Sequence, residues 1–187
     1  MKESIVQAGN PVLRTKARPV AKKDIGSAKV KNLVKKMRAA LSPEENGVAI
    51  AAPQVGEPLQ IFIVAGRVFA EEPEDSADVN AGRTRKRQGE QEQNLPAPRH
   101  DMVFINPEII RSSRKKKIMS EGCLSVRGVF GTVMRHEKTS VRALDERGEP
   151  FTYHGSGLLA QIFQHETDHL NGILFIDKAE KIDEPKK

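Results

Sequence analysis

One stretch sets the terms for the whole chain: "SGLLAQIFQHETDHLNG", residues 156 to 172. Ser156 opens it, Asn171 and Gly172 close it, and the apolar positions between recur at helical spacing, so the segment reads as a helix. His165 and His169 stand four residues apart on one face of that helix, where both imidazoles can converge on a single metal ion. Glu166 follows the first histidine and can take a proton from water at the position such a metal leaves open. The run "LLAQIF" is apolar enough to bury the segment. Burying two imidazoles with Glu166 and Asp168 is costly unless each is satisfied, so the fold must bring partners to this helix.

A catalytic metal of this kind takes a third protein ligand and keeps a fourth position for water. The sequence follows the extended pattern H-E-x-x-H-x-x-G-x-x-H as far as Gly172, but has Phe175 where the last histidine belongs. Glu180 and Glu184 lie in a polar tail with little room for another packed helix. The remaining soft ligand is Cys123, the one cysteine in 187 residues. A thiolate suits Zn²⁺ or Fe²⁺, and Gly122 lets the backbone pass close to the ion. Taken alone, a single cysteine is more often a small buried hydrophobe. A nucleophilic thiol is the other alternative, and it leaves the H-E-x-x-H helix without a role.

One cysteine closes no intramolecular disulfide, so a reducing compartment, the cytoplasm, suits the chain. The segment "MKESIVQAGNPVLRTKARPV" has no apolar stretch between a basic head and a cleavage site, and no later run is long and apolar enough to span a bilayer. The expectation is a protein with no membrane partner. With 37% apolar and 30% charged residues, residues 1–187 suit a single domain with a real core. Residues 70–100, an acidic block followed by a basic one and then Gln, Glu and Pro, read as a polar insertion loop. The formal charge of +6 is scattered among acids, and with 4% aromatics it names no partner by itself.

On either side of that insertion, "LQIFIVAG" (59–66) and "MVFINPEII" (102–110) read as strands joined by a long hairpin-type loop. "DIGSAKVKNLVKKMRAAL" (24–41) reads as an amphipathic helix with Val30, Leu33, Val34, Met37 and Leu41 on one face. "KTSVRALDERGEPFTYHG" (138–155) reads as strand, turn and strand. Helices mixed with antiparallel strands indicate an α+β fold.

Three segments in order, "GVAIAAPQVG" (47–56), "EGCLS" (121–125) and "QHETDHLNG" (164–172), resemble the signature motifs of the peptide deformylases, and "NPVLR", "INPEI" and "ILFID" add to the likeness. It covers the chain from about Ile5 to Asp177, outside the insertion. The resemblance implies antiparallel sheets around a central helix carrying H-E-x-x-H. It also implies a metal-dependent hydrolase that removes the N-formyl group from the N-terminal formylmethionine of new polypeptides and releases formate. The metal, natively Fe²⁺, with Zn²⁺, Ni²⁺ or Co²⁺ able to replace it, would be held by Cys123, His165 and His169. Glu166 would move the proton from water to the departing amine, and the Gln54 amide and Leu124 N–H would donate to the reacting oxygen. Substrate backbone would pair as an added strand around Val48, Ala49 and Gly122. The methionine side chain would enter among Val48, Glu121, Leu158, Ile162 and His165, positions that also suit plain core. The partners implied are N-formylmethionyl peptides and, in passing, the ribosome where they emerge.

Two positions depart from the family pattern. Ala49 replaces a glycine, so its methyl group is expected to crowd the substrate backbone or to demand a slightly different path for it. Phe130 replaces an arginine able to contact the peptide, whereas Val133 and Arg135 fit the pattern. Two rival readings stand beside this one. The first is an H-E-x-x-H peptidase cutting internal amides, which Phe175 weakens. The second is a catalytically silent module using "RTRKR" (83–87) and "RKKK" (114–117) on RNA, runs that are more often solvated surface.

Overall fold

The run Ile61–Val64 is apolar at every position and buried throughout, as suits a strand covered on both faces. In the computed structural model, which describes residues 5–69 and 100–183, this strand (β2) lies between β1 (Ala49–Ala51) and β3 (Met102–Ser112), antiparallel to both. β6 (Lys138–Leu144) and β7 (Pro150–Ser156) complete a five-stranded sheet in the order β1-β2-β3-β6-β7. A second sheet of three strands, in the order β4-β5-β8, consists of β4 (Lys116–Cys123), β5 (Val126–His136) and β8 (Lys181–Asp183).

The two strands expected around the insertion pair in register, from Ile61 opposite Ile105 to Val64 opposite Met102. β2 stops at Val64, and a single helical turn, α2 (Gly66–Phe69), follows it. Residues 70–99, nearly all of the expected insertion loop and the whole "RTRKR" run, lie outside the described residues. The expected strand, turn and strand form β6 and β7, with the Asp145 carboxylate accepting from the backbone N–H groups of Arg147 and Glu149.

Helix α1 (Ala28–Leu41) starts four residues later than the sequence suggested, because the Ser27 hydroxyl caps it by accepting from Val30 N–H. The five residues expected on its apolar face are all buried. The β4–β5 hairpin and β8 were not anticipated. β4 opens with exposed lysines from the "RKKK" run, and β8 is exposed at all three positions, so neither shows the apolar alternation that marks a half-buried strand.

Helix α3 (Gly157–Leu170) begins after Ser156, which holds the extended conformation of an N-cap, and ends at Asn171. It packs against strands of both sheets, the central position expected of it. Phe163 on α3 meets Phe104, Tyr153 and Phe62 with ring centroids 5.3, 6.0 and 6.3 Å away, in the main core. A smaller core of Leu13, Val126, Val133, Leu174 and Phe175 lies against the β4–β5 hairpin. Among the described residues no helix is long and apolar enough to cross a membrane.

The helix comes close to the main sheet at Gly155 of β7, where an added Cβ would stand 2.9 Å from the Phe163 ring and 3.0 Å from the Ala160 nitrogen. Gly155→Ala is therefore expected to destabilise the fold by about 1–3 kcal/mol through overpacking. Thermal unfolding checks this, with Tm falling by about 2–4 °C per kcal/mol for a chain of this size.

Candidate metal centre

Four polar side chains of α3, Gln161, Gln164, His165 and Asp168, recur at the i, i+3, i+4, i+7 spacing of one helical face, and all four bond to the β4–β5 hairpin. Gln161 Nε2 donates to Ser120 O at 2.8 Å. Gln164 accepts from His136 N–H at 2.9 Å and donates to His136 O at 3.0 Å. Of the other two, His165 bonds to Glu121 of β4 and Asp168 to Arg135, which is buried on β5.

The Arg135 guanidinium holds Glu121 bidentately, Nε to Oε1 at 2.7 Å and Nη2 to Oε2 at 3.0 Å. Its Nη1 donates to Asp168 Oδ2 at 2.6 Å, and Lys178 Nζ reaches the other oxygen of Asp168 at 2.6 Å. Glu121 Oε2 lies 2.9 Å from His165 Nδ1. An ionised carboxylate only accepts, so His165 donates its Nδ1–H there and turns Nε2 to the site. Burial pushes the Glu121 carboxyl up, but hydrogen bonds from His165 and Arg135 outweigh it and lower the pKa from 4.5 to about 2.

Cys123 ends β4, and its Sγ lies 3.2 Å from His169 Nε2. One ligand atom each from Cys123, His165 and His169 falls within 4.8 Å of the others. Gln54, buried in the 3₁₀ turn Ala52–Val55, is fixed by Ala51 N–H donating to its Oε1 at 2.8 Å. Its Nε2 donates to Ser125 Oγ at 3.1 Å and points at Cys123 Sγ from 3.5 Å. Glu166 is buried beside His165, and its Oε2 has no hydrogen-bond partner among the described residues. Burial, with the Glu121 charge adding and the His165 charge opposing, raises its carboxyl from 4.5 to about 7.

One soft thiolate with two imidazoles is a donor set that suits Fe²⁺ or Zn²⁺. The unpaired Glu166 oxygen fits the same arrangement, since a buried acceptor without a partner is costly unless something is meant to meet it.

Other expected site residues fall in varied surroundings. Val48 is half-buried, Leu158 is exposed and Ile162 is buried, all three next to or on the elements that carry the site. Leu124 and Ser125 form the turn between β4 and β5, and Gln7 Nε2 donates to Leu124 O at 3.1 Å. Ala49 is buried with the main core, so its methyl group leaves little surface to crowd a substrate. The Glu121 side chain bonds to Arg135 and His165. A buried guanidinium demands an anion, and strand alternation puts Glu121 on the face toward α3. At Phe175, where a third histidine was sought, the ring stacks on His165 with centroids 6.3 Å apart. Sequence reading missed Arg135, Ser125, Lys178 and the two glutamines as parts of the site. For the glutamines and Asp168, the shared helical face was the available signal.

Removing Arg135 leaves Glu121 and Asp168 buried without their cation. Arg135→Met is expected to cost about 3–5 kcal/mol in stability and to weaken metal affinity about 10–100-fold, checked by denaturant unfolding and competition with a chelator. Glu166 gives a pH signature. Its folded pKa of about 7 lies above 4.5, so its ionisation destabilises the fold progressively as pH rises between those values. After chelation, Glu166→Gln is expected to match wild-type Tm below pH 4.5 and to exceed it increasingly up to about pH 7.

A sequence profile of the family Polypeptide deformylase matches residues 2–185. The peptide deformylase of Halothermothrix orenii is 40% identical over 183 residues, which cover 96% of this chain and 95% of that protein. Peptide deformylase 1A, chloroplastic, of Solanum lycopersicum is 33% identical over 176 residues, covering 93% of this chain and 58% of that longer protein. Among solved structures, the Met-Ala-Ser-bound class I type b peptide deformylase from Acinetobacter baumannii is similar with a TM-score of 0.73 and 32% identity, covering 95% of this chain and 99% of that one. These likenesses favour deformylase chemistry over an internal peptidase or an RNA-binding module. Family profile, near full-length relatives and shared fold agree: the chain belongs to the polypeptide deformylase family, metal-dependent hydrolases that remove the N-formyl group from nascent peptides.

Proposed function

We propose that this deformylase holds one divalent metal ion with Cys123, His165 and His169, and that Glu166 is its proton carrier. The supporting observation is the meeting of the three donor atoms within 4.8 Å beside the buried, unpaired Oε2 of Glu166. When bound, the metal, natively Fe²⁺ and replaceable by Zn²⁺, Ni²⁺ or Co²⁺, acidifies water and polarises the formyl oxygen. Glu166 accepts a proton from the attacking water at Oε2 and delivers it to the amine nitrogen as the C–N bond breaks. Gln54 Nε2–H and the Leu124 backbone N–H donate to the formyl oxygen as negative charge gathers on it. Glu121 fixes the His165 ring through Nδ1, and Arg135 fixes Glu121.

Among the described residues, β1 and β4 each end their sheet, so each offers one edge without a strand partner to an extended peptide. The N-formylmethionyl substrate lies there as an added strand near Val48, Ala49 and Gly122. Its methionine side chain enters against Val48, Glu121, Leu158, Ile162 and His165. We place this work in the cytoplasm, with passing contact at the ribosome where formylated chains emerge. Residues 1–187 act as one domain, with 70–100 as an insertion within it.

The test is formate release from formyl-Met-Ala by protein purified without oxygen and with its metal quantified. Wild type is expected to release formate, and Glu166→Ala to lose about 10²–10⁴ in kcat. No release from fully metallated wild type sinks the assignment of roles.

A further inference from the structure

Residues 5–8 form neither helix nor strand, yet they bond to two separate pieces of the centre. Val6 N–H donates to Gln54 O at 2.8 Å, and Ala8 N–H donates to Ser125 O at 2.7 Å. Ile5 belongs to the main core and Val6 packs against the smaller one, so the segment is anchored in both. Gln7 lies between these anchors and is exposed, but both of its amide hydrogens are engaged. Its Nε2 donates to Ile5 O at 3.0 Å and to Leu124 O at 3.1 Å. Both partners are carbonyls, which only accept, so the amide nitrogen and not its oxygen must face them.

The Leu124 carbonyl shares a peptide unit with Ser125 N–H, and that N–H donates to Cys123 Sγ at 3.4 Å. Two hydrogen bonds therefore run in line, from the Gln7 amide to the carbonyl and from the same peptide to the sulfur. Bonds joined through one peptide polarise each other, and the peptide cannot rotate without losing both. Leu124 N–H stands one peptide earlier, between the residue that bears the sulfur and the unit that Gln7 holds. Of the three links from this segment to the centre, only the one at Leu124 runs through a side chain.

We propose that Gln7 is a positioning residue for the metal centre: it holds the Leu124–Ser125 peptide so that Ser125 N–H meets the Cys123 sulfur and Leu124 N–H stays aimed at the reacting oxygen. This rests on the reading that Cys123 holds the metal and that Leu124 N–H donates to the formyl oxygen. An N–H bond to a ligating thiolate draws electron density from the sulfur and tunes the metal it holds. Gln7 is outside the group of metal-binding side chains and acts through that peptide.

The test loads wild type, Gln7→Met and Gln7→Lys with Co²⁺. It reads the sulfur-to-cobalt charge-transfer band, Tm, and kcat and KM for formate release from formyl-Met-Ala. Methionine is close to glutamine in size and lacks N–H donors, whereas the lysine ammonium can still donate to a carbonyl. Gln7→Met is expected to move the band to lower energy, because a sulfur with weaker hydrogen bonds gives up an electron more readily. Its kcat should fall about five- to twentyfold with KM within about twofold, a smaller loss than the roughly 10²–10³ that removal of an oxyanion donor costs. Gln7→Lys should keep kcat within about threefold of wild type and the band at or above the wild-type energy. If either the band or kcat stays at its wild-type value in Gln7→Met, the proposal is overturned, whatever happens to Tm. A loss of kcat that Gln7→Lys shares in full overturns it as well. If cobalt-loaded wild type shows no sulfur-to-cobalt band, the reading of Cys123 as a ligand fails, and the proposal with it. If wild type shows the band and Gln7→Met leaves it in place, only the role of Gln7 fails.

Discussion

The Arg135 guanidinium, buried between Glu121 and Asp168, is the contact on which the geometry of the centre depends. Glu121 belongs to the hairpin that carries Cys123, and Asp168 to the helix that carries His165 and His169. One side chain thus ties together the two elements that supply the three candidate metal-binding side chains. A buried ion pair of this kind is weak evidence for net stability, because desolvation offsets much of the attraction. What it secures is position: Arg135 holds the Glu121 carboxylate, and Glu121 holds the His165 ring through Nδ1.

Around that contact the fold places its apolar and polar surfaces with a clear division. α3 gives Leu159 and Phe163 to the main core and turns Gln161, Gln164, His165 and Asp168 to the hairpin. The polar side of a helix would normally face water. Here it is covered, and each of these side chains finds a partner on β4 or β5. Elsewhere on the helix, Glu166 Oε2, Thr167 Oγ1 and His169 Nδ1 are buried without a hydrogen-bond partner among the described residues. The raised pKa of Glu166 and the lowered pKa of Glu121 arise within one site, from burial in the first case and from a guanidinium and an imidazole in the second.

Much of this was legible along the chain, and the exceptions have physical reasons. The apolar face of α1 and the paired histidines of α3 follow from local periodicity, which the backbone enforces wherever a helix forms. β2 and β3 announce themselves as apolar runs. The β4–β5 hairpin does not, because its inner face carries Glu121 and Arg135 where alternation would call for apolar residues. Arg135 in such a strand reads as a solvent-facing charge until the carboxylates on each side of it are known. The partners of Glu121 were hidden for the same reason, since nothing in its neighbours shows which face of the strand meets the helix. The start of α1 moved because a hydroxyl at Ser27, and not the apolar pattern, ends the extended chain.

The amino-acid sequence by itself determined the chemistry of the centre: two imidazoles at i and i+4, a carboxylate beside the first, a single thiol in a chain without other cysteines, and three motifs in the order of the family. These depend on residue type and on spacing within one element, which a linear sequence carries directly. The tertiary structure alone decided how the thiol reaches the helix, which carboxylate orients His165 and which stays unpaired. Those outcomes depend on packing between distant segments, where burial assigns each charge a partner and no local period records the choice.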